Sequence, residues 1–230
     1  MTASAPWLLA VDGIDGSGKS VLAERLAAAL DGAGISSALL RVDDFRRAVD
    51  WQRPGRMEAD AYYEDYYELE GLDGTVGALL DGAPEVAVPV FDGREGCRSG
   101  TRPVRLDGGG PRAVVVEGVF ALRVAPVRAR ATVVYLRTSF AEARRRILAR
   151  DTARGRSAAE VAHRIDARYF PAQERYMREH DPEGRATVLI DHERVGAPAV
   201  ARFEAPDLPA PVEAAVRRAL AAFAAPAVVK

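Results

Sequence analysis

The stretch Gly13-Ile14-Asp15-Gly16-Ser17-Gly18-Lys19-Ser20 decides how the rest of the chain is read. It fits the spacing G-x-x-x-x-G-K-[ST], in which a glycine-rich turn lets backbone N–H groups converge on a phosphate without interference from Cβ atoms. Its flanks agree with that geometry. Trp7-Leu8-Leu9-Ala10-Val11 is an apolar run of strand type, and Val21 to Leu30 forms helix readily, with Leu22, Leu26 and Leu30 four residues apart. A strand, a tight turn and a helix N-terminus in succession make an anion site, because the first amides of the helix are unpaired and its dipole favours negative charge. The basic residues sharpen the point. Of 32 lysines and arginines only Lys19 and Lys230 are lysines. A compact ammonium can bridge two phosphate oxygens where a broad guanidinium fits poorly. Gly13, Asp15, Gly16, Ser17, Gly18, Lys19, Ser20 and Val21 are therefore expected to cradle a nucleoside triphosphate.

Composition narrows the surroundings of that loop. A chain of 230 residues with 48% hydrophobic and 28% charged residues has enough apolar material for one core, so residues 1–230 are expected to form a single domain. A net charge of −1, with both signs interspersed, argues against a nucleic-acid or anionic-membrane partner. No apolar run reaches the length of a membrane span, and Met1–Pro6 lacks the basic and apolar regions of a secretory signal. With the lone cysteine, Cys97, this leads to the expectation of a cytoplasmic protein. His163, His180 and His192 are too scattered for a zinc site. The oligomeric state is left open, a homo-oligomer included.

Apolar runs at 8–11, 38–42, 113–116, 132–136 and 187–190 alternate with helical stretches. Such alternation predicts an α/β fold with a central parallel sheet and helices on both faces. Two regions interrupt it. In 85–110 the alternation of Val86, Val88 and Val90, a Gly/Arg-rich tip and then Val104 and Leu106 predict an inserted β-hairpin. In 143–157 arginines crowd together between two capping boxes, Ser139-x-x-Glu142 and Ser157-x-x-Glu160, which predict two helix starts with a loop over 152–156 between them. Residues 212–223 read as a closing amphipathic helix.

Two carboxylates stand where strands end, which in a parallel sheet is the ligand crevice. Asp43 follows the second strand and is placed to orient an acceptor hydroxyl and take its proton. Glu117 ends the Val114–Val116 strand and is placed, with Ser20, to hold Mg²⁺. In an extended segment Asp43 and Asp44 would point to opposite sides, so only one can serve the phosphates. The guanine-reading motif Asn-Lys-x-Asp is excluded, because the chain contains no asparagine.

Gly13–Ser20, Asp43-Asp44-Phe45, Glu117-Gly118, the run Arg145–Arg156, Tyr169-x-Pro171 and Asp181-Pro182 together resemble the uridine kinase group, which includes pantothenate, phosphoribulo- and nicotinamide riboside kinases. The resemblance implies a P-loop NTPase fold. It also implies transfer of the ATP γ-phosphate, with Mg²⁺, to a primary hydroxyl, with Asp43 as base and the arginine-rich segment as a lid. Lys19, Asp43, Arg150 and Arg154 are then the expected catalytic residues, since guanidiniums over a transferring phosphoryl group stabilise its charge. The acceptor is expected to lie between the hairpin and a tyrosine-rich segment, against Tyr62, Asp65, Tyr66, Phe91, Asp92 and Arg98, with Arg94 nearby. Aromatic faces suit a planar base and carboxylates suit ribose hydroxyls, so a ribonucleoside is the acceptor expected. The hairpin has no histidine, which the uridine enzymes of the group use against the base, and has Phe91-Asp92 where they usually have Tyr-Asp. A thymidylate-type nucleoside monophosphate kinase is an alternative reading, although its Asp-Arg-aromatic motif is missing after the third strand. A nucleotide-gated binding protein without turnover is the other.

Overall fold

In a computed structural model residues 5–92, 96–107 and 109–224 are described. Among these residues eight strands form two sheets. The larger has six strands: β1 (Trp7–Gly13), β2 (Ser36–Arg41), β5 (Arg112–Glu117), β6 (Thr132–Arg137), β7 (Val188–Asp191) and β8 (Ala199–Phe203). Their order is β2-β5-β1-β6-β7-β8, with every pair parallel except β7 and β8. The smaller sheet is the hairpin of β3 (Glu85–Asp92) and β4 (Cys97–Arg105). The helices among the described residues are α1 (Lys19–Asp31), α2 (Glu58–Glu64), α3 (Leu69–Leu80), α4 (Ala125–Arg130), α5 (Phe140–Ala153), α6 (Ala158–Arg164), α7 (Phe170–His180), α8 (Pro182–Arg185) and α9 (Ala210–Ala224).

Period-two alternation divides the core in two. Leu8 and Ala10 of β1 and Val114 and Val116 of β5 face a layer built on Leu72, Val76, Leu79 and Phe120. Leu9 and Val11, with Val115, Val134 and Leu136, face α1 and α9 through Leu22, Leu26, Val212 and Val216. Burial on both faces is why these strands read as continuous apolar runs and not as alternating ones. The hairpin is docked by Val88 and Val104, both buried, and by Leu106 just beyond it.

Three details depart from the expectations. β8 was not anticipated; it is short and mostly exposed, so its apolar content is too thin to stand out. Residues Val42–Phe45 form a 3₁₀ turn and do not prolong β2. The helix α5 runs on through Ala153, so the lid loop is shorter than predicted, although Ser139 and Ser157 accept the backbone N–H groups of Glu142 and Glu160 as the capping boxes require. Beyond α6 a π-helical turn at Ile165–Tyr169 leads into α7, near whose start Pro171 stands. Pro171 has no N–H to continue the α-helical ladder, which favours the wider turn there.

Phe120 holds the substrate side of the molecule together. It is fully buried at φ 70°, and its ring meets those of Tyr62, Tyr63, Tyr67 and Tyr176 at centroid distances of 5.6, 5.2, 5.9 and 5.3 Å. Edge-to-face packing of this kind adds to the area buried. Replacing Phe120 by alanine should cost about 3–5 kcal/mol. Urea denaturation of Phe120→Ala measures it, and a loss under about 1 kcal/mol would show that the aromatic cluster does not depend on this ring.

Candidate functional site

The turn between β1 and α1 is a backbone ring held on two sides. Gly13 has φ 152°, and a Cβ there would lie 2.7 Å from Ser17 Oγ and 2.8 Å from the Leu136 carbonyl oxygen of β6. Gly18 has φ 98°, and a Cβ there would press on the His192 ring at 3.1 Å. Only glycine allows both the conformation and the approach. Lys19 is buried and donates from Nζ to the Ile14 carbonyl at 3.0 Å, so its ammonium lies across the loop, 3.9 Å from Asp15 Oδ1. Ser17 Oγ is buried among the loop amides without a hydrogen-bond partner. A ring of glycine-permitted amides at a helix N-terminus, with one ammonium across it, fits the phosphates of a nucleotide.

The loop faces a cavity of about 350 Å³ lined by Lys19, Ser20, Val21, Asp43, Glu117, Arg146, Arg150 and Arg154, with Asp15, Gly16 and Gly18. Sequence reasoning had put these side chains in one crevice, and the fold brings them together. Glu117 is 4% exposed, and its carboxyl is pushed up to about 7. Burial is the main cause and Asp43 adds to it, while Lys19, Arg41 and a hydrogen bond from Ser20 oppose it. A cation beside Glu117 and Ser20 would offset that burial. Among the described residues no cluster of three or more His, Cys, Asp or Glu side chains is arranged to hold a metal. The donor set of one hydroxyl and sparse carboxylates therefore suits Mg²⁺ bound together with phosphate oxygens, and not a cation held by protein alone.

Asp43 and Asp44 do separate, though through the turn and not through strand alternation: a 3₁₀ turn rotates successive side chains by about 120°. Asp43 lines the cavity and accepts from Tyr67 Oη at 3.3 Å, whereas Asp44 accepts from Arg102 of the hairpin at 2.6 Å. Among the lid arginines, Arg146 is fixed in place. It donates to the Gly16 carbonyl at 3.3 Å and the His192 carbonyl at 2.6 Å, and pairs with Glu142. Arg150 and Arg156 share the carboxylate of Asp151 at 2.7 and 3.1 Å.

A narrower space of about 190 Å³ leads from Asp15, Asp43, Arg150 and Arg154 past Tyr62, Tyr66 and Tyr67. It opens on a second cavity of about 360 Å³ whose lining includes Trp51, Tyr62, Tyr66, Phe91 and Tyr169. Asp15, expected only at the nucleotide, faces this passage: it accepts from Gln173 Nε2 at 2.8 Å and Tyr62 Oη at 3.1 Å. Burial raises the Tyr62 and Tyr67 hydroxyls well above their usual range, so both stay protonated donors. Tyr63 is part of the core instead, under Arg123 and Arg175.

Three expected acceptor contacts do not line either space. Asp65 pairs with Arg56 at 2.9 Å, Arg98 is engaged by Glu68, and Asp92 stands at the hairpin end opposite Cys97. Charge alone does not say which way a side chain on a helix end or hairpin turns; their partners here are themselves surface ions. Arg94 lies outside the described residues.

Sequence reasoning missed two supports of the loop. Asp12, at the end of β1, is fully buried and accepts from the Gly13 amide and from Tyr176 Oη; burial, the larger effect, pushes its carboxyl up to about 6. His192 follows β7 and donates from Nδ1 to the Ser17 carbonyl at 2.7 Å, with its ring 4.7 Å from that of Phe223. No motif marks either residue; an acid closing an apolar strand was the only signal.

Burial holds the His192 pKa below its usual value, so the ring is neutral at pH 7. A base with a depressed folded pKa contributes stability that is complete above the unfolded value of about 6.5 and is lost as pH falls through the folded one. The stability difference between the wild type and His192→Phe should therefore shrink from pH 8 to pH 5. Urea titrations at both pH values measure it, and a difference that grows on acidification would mean that the ring is charged in the fold.

No protein-family model matches the chain. It is 28% identical over 199 residues to the uridine kinase of Deinococcus deserti, covering 85% of this chain and 92% of that one. Its fold matches the structure of a "possible uridine kinase" from Bacillus stearothermophilus with a TM-score of 0.61 at 23% identity, over 82% and 90% of the two chains. It also matches phosphoribulokinase from Rhodobacter spheroides with a TM-score of 0.54 at 12% identity, over 82% and 70%. These relatives are kinases, and the chain is similar along most of its length to uridine kinase and shares the α/β fold of the P-loop kinases.

Proposed function

We propose that the protein transfers the γ-phosphate of ATP, with Mg²⁺, to a hydroxyl of a small molecule. The observation that carries this reading is the junction of two cavities at one carboxylate: Asp43 lines both the space at the phosphate loop and the passage towards the aromatic cavity. In-line transfer needs a donor and an acceptor on either side of a group that can orient the hydroxyl and accept its proton, and Asp43 stands at that boundary. Bound Mg²⁺ would draw charge off the phosphate oxygens. Lys19 would neutralise charge on the phosphates from across the loop, and Ser20 and Glu117 are the residues that would hold the metal. Arg150 and Arg154 supply positive charge over the transferring group and exclude water.

The aromatic faces of Tyr62, Tyr66 and Phe91 in the second cavity support an acceptor with a planar group, such as a ribonucleoside or a phosphorylated form of one. The carboxylate support for ribose hydroxyls is weaker, since Asp65 and Asp92 do not line it.

Release of ADP from Mg²⁺-ATP in the presence of candidate alcohols tests the reading. Lys19→Ala should lower kcat by roughly 10²–10³, as loss of a preorganised charge does. Lys19→Arg should fail as well, on geometry, and near-normal turnover by it would overturn the point-charge role given to Lys19.

Asp43→Asn should lower kcat by roughly 10²–10⁴ while leaving ATP affinity within a few-fold, and Asp44→Asn, whose partner is Arg102, should be milder. A reversed order of the two effects in steady-state kinetics would move the base to Asp44.

A further inference from the structure

The second cavity is not neutral. Arg46, Arg47, Arg156, Arg164 and Arg168 line it, and among the described residues no carboxylate does. The passage from the phosphate loop is mixed in charge: Asp15, Asp43 and Asp151 line it together with Arg46, Arg150, Arg154, Arg156 and Arg164. Among the described residues carboxylates thus stop at the passage, and the charged groups of the far wall are all arginines.

The fold takes some trouble to put the basic wall there. Arg164 ends α6, and Arg168 and Tyr169 belong to the π-helical turn that follows it. Arg46 comes from the end of the turn that carries Asp43, and its guanidinium lies over the Phe91 ring of the hairpin at 4.8 Å. Three separate elements therefore aim guanidiniums at one space. None of them is saturated. Arg46 donates Nε to the Asp43 carbonyl at 2.6 Å and forms no ion pair among the described residues. Arg164 pairs through one Nη with Glu160 at 2.6 Å and bonds to Tyr169, and Arg168 pairs through Nε with Glu58 while its guanidinium lies over the Trp51 ring, 3.9 Å from the centroid. A guanidinium has five N–H donors in a planar fork, so each keeps most of its donors for something else. A neutral acceptor that displaced water from this wall would leave those donors unmatched, which is costly in a closed site.

We infer that the acceptor is an anionic alcohol: it carries a phosphate or carboxylate at the end opposite its reacting hydroxyl, and Arg46, Arg164 and Arg168 receive that group. This rests on the phosphoryl-transfer reading for the position of the hydroxyl. The all-arginine far wall holds the anion, with no carboxylate beside it among the described residues, and leaves the hydroxyl towards Asp43. Aromatic groups between the two ends cover its middle and keep water out.

The test uses matched acceptors that differ in one anionic group and keep a primary hydroxyl: glycerol with glycerate, ribulose with ribulose 5-phosphate, and uridine with uridine 3′-phosphate. Calorimetry measures binding of each to the full-length protein saturated with Mg²⁺ and a non-hydrolysable ATP analogue, and ADP release from Mg²⁺-ATP measures turnover. In at least one pair the anionic member should bind at least about tenfold tighter, as charge-assisted contacts to Arg predict. The pair that responds distinguishes carboxylate from phosphate. Arg46→Gln and Arg168→Gln should each weaken that member about tenfold or more, while the ATP analogue stays within about twofold and the neutral member is unaffected. Arg46→Lys, which keeps a charge without the fork, should fall between Arg46→Gln and the wild type, and so separates a lost contact from a damaged fold. Neutral members that bind as well as their anionic partners, or the absence of binding by every anionic member, would overturn the inference even if ADP is released. Anion-selective binding without ADP release under any pairing would sustain it and overturn the phosphoryl-transfer reading instead.

Discussion

The structure depends on how closely one backbone turn can be approached. Between β1 and α1 the chain passes within van der Waals reach of the Leu136 carbonyl on one side and the His192 ring on the other, and a single Cβ at Gly13 or Gly18 would collide with them. The path of the loop is fixed further by its own amides, of which Gly13 donates to Asp12, Asp15 to Gln173 Oε1 and Ser17 to the Ile14 carbonyl. Asp12 below and His192 beside it fasten the loop to buried groups, by way of the Gly13 amide and the Ser17 carbonyl. Lys19 is then held across a turn whose path is set during folding, with its Nζ on the Ile14 carbonyl.

From that fixed point the rest of the site is set by topology. The parallel order β2-β5-β1-β6-β7 brings the C-terminal ends of β2 and β5 beside the loop, which is why a carboxylate just after one strand and a carboxylate at the end of the other reach the same cavity. The two differ in setting. Glu117 is enclosed, and burial resists its ionisation, whereas Asp43 rides on a short turn facing Tyr67 and the passage towards the aromatic cavity. Their environments, more than their identities, suit one to a metal and the other to a proton.

How much of this the sequence revealed follows from the range of each interaction. The glycine-rich turn between β1 and α1, the five parallel strands and the two serine caps were legible because each rests on local spacing: a glycine pattern, an apolar run, a residue three positions from its partner. The hairpin at 85–110 was legible from alternation. What escaped were contacts across the fold. Nothing near Asp12 announces Tyr176, 164 residues away, and nothing near Ser17 announces His192. Asp65 and Arg98 looked like pocket residues because they are polar members of the two segments expected to flank the acceptor. Their side chains turn to Arg56 and Glu68, a choice made by tertiary neighbours. The separation of Asp43 from Asp44 was expected for a reason that does not hold, since the turn there is helical.

The abundance of arginine can now be set against the single described lysine. Arg146 spans the Gly16 and His192 carbonyls and the Glu142 carboxylate at once, Arg175 joins Glu64 and Glu179 while covering the Tyr63 ring, and Arg168 joins Glu58 to the face of Trp51. Each of these tasks needs several donors in a plane or a flat cation on a ring, and an ammonium offers neither. At position 19 the requirement is reversed. The space across the loop is closed by the Ile14 carbonyl and Asp15, and it admits a compact charge on a slender stem, where a fork would strike the backbone ring that holds it. The choice of basic residue along this chain thus follows the number and arrangement of acceptors at each site, and Lys19 stands where there is room for one point of charge.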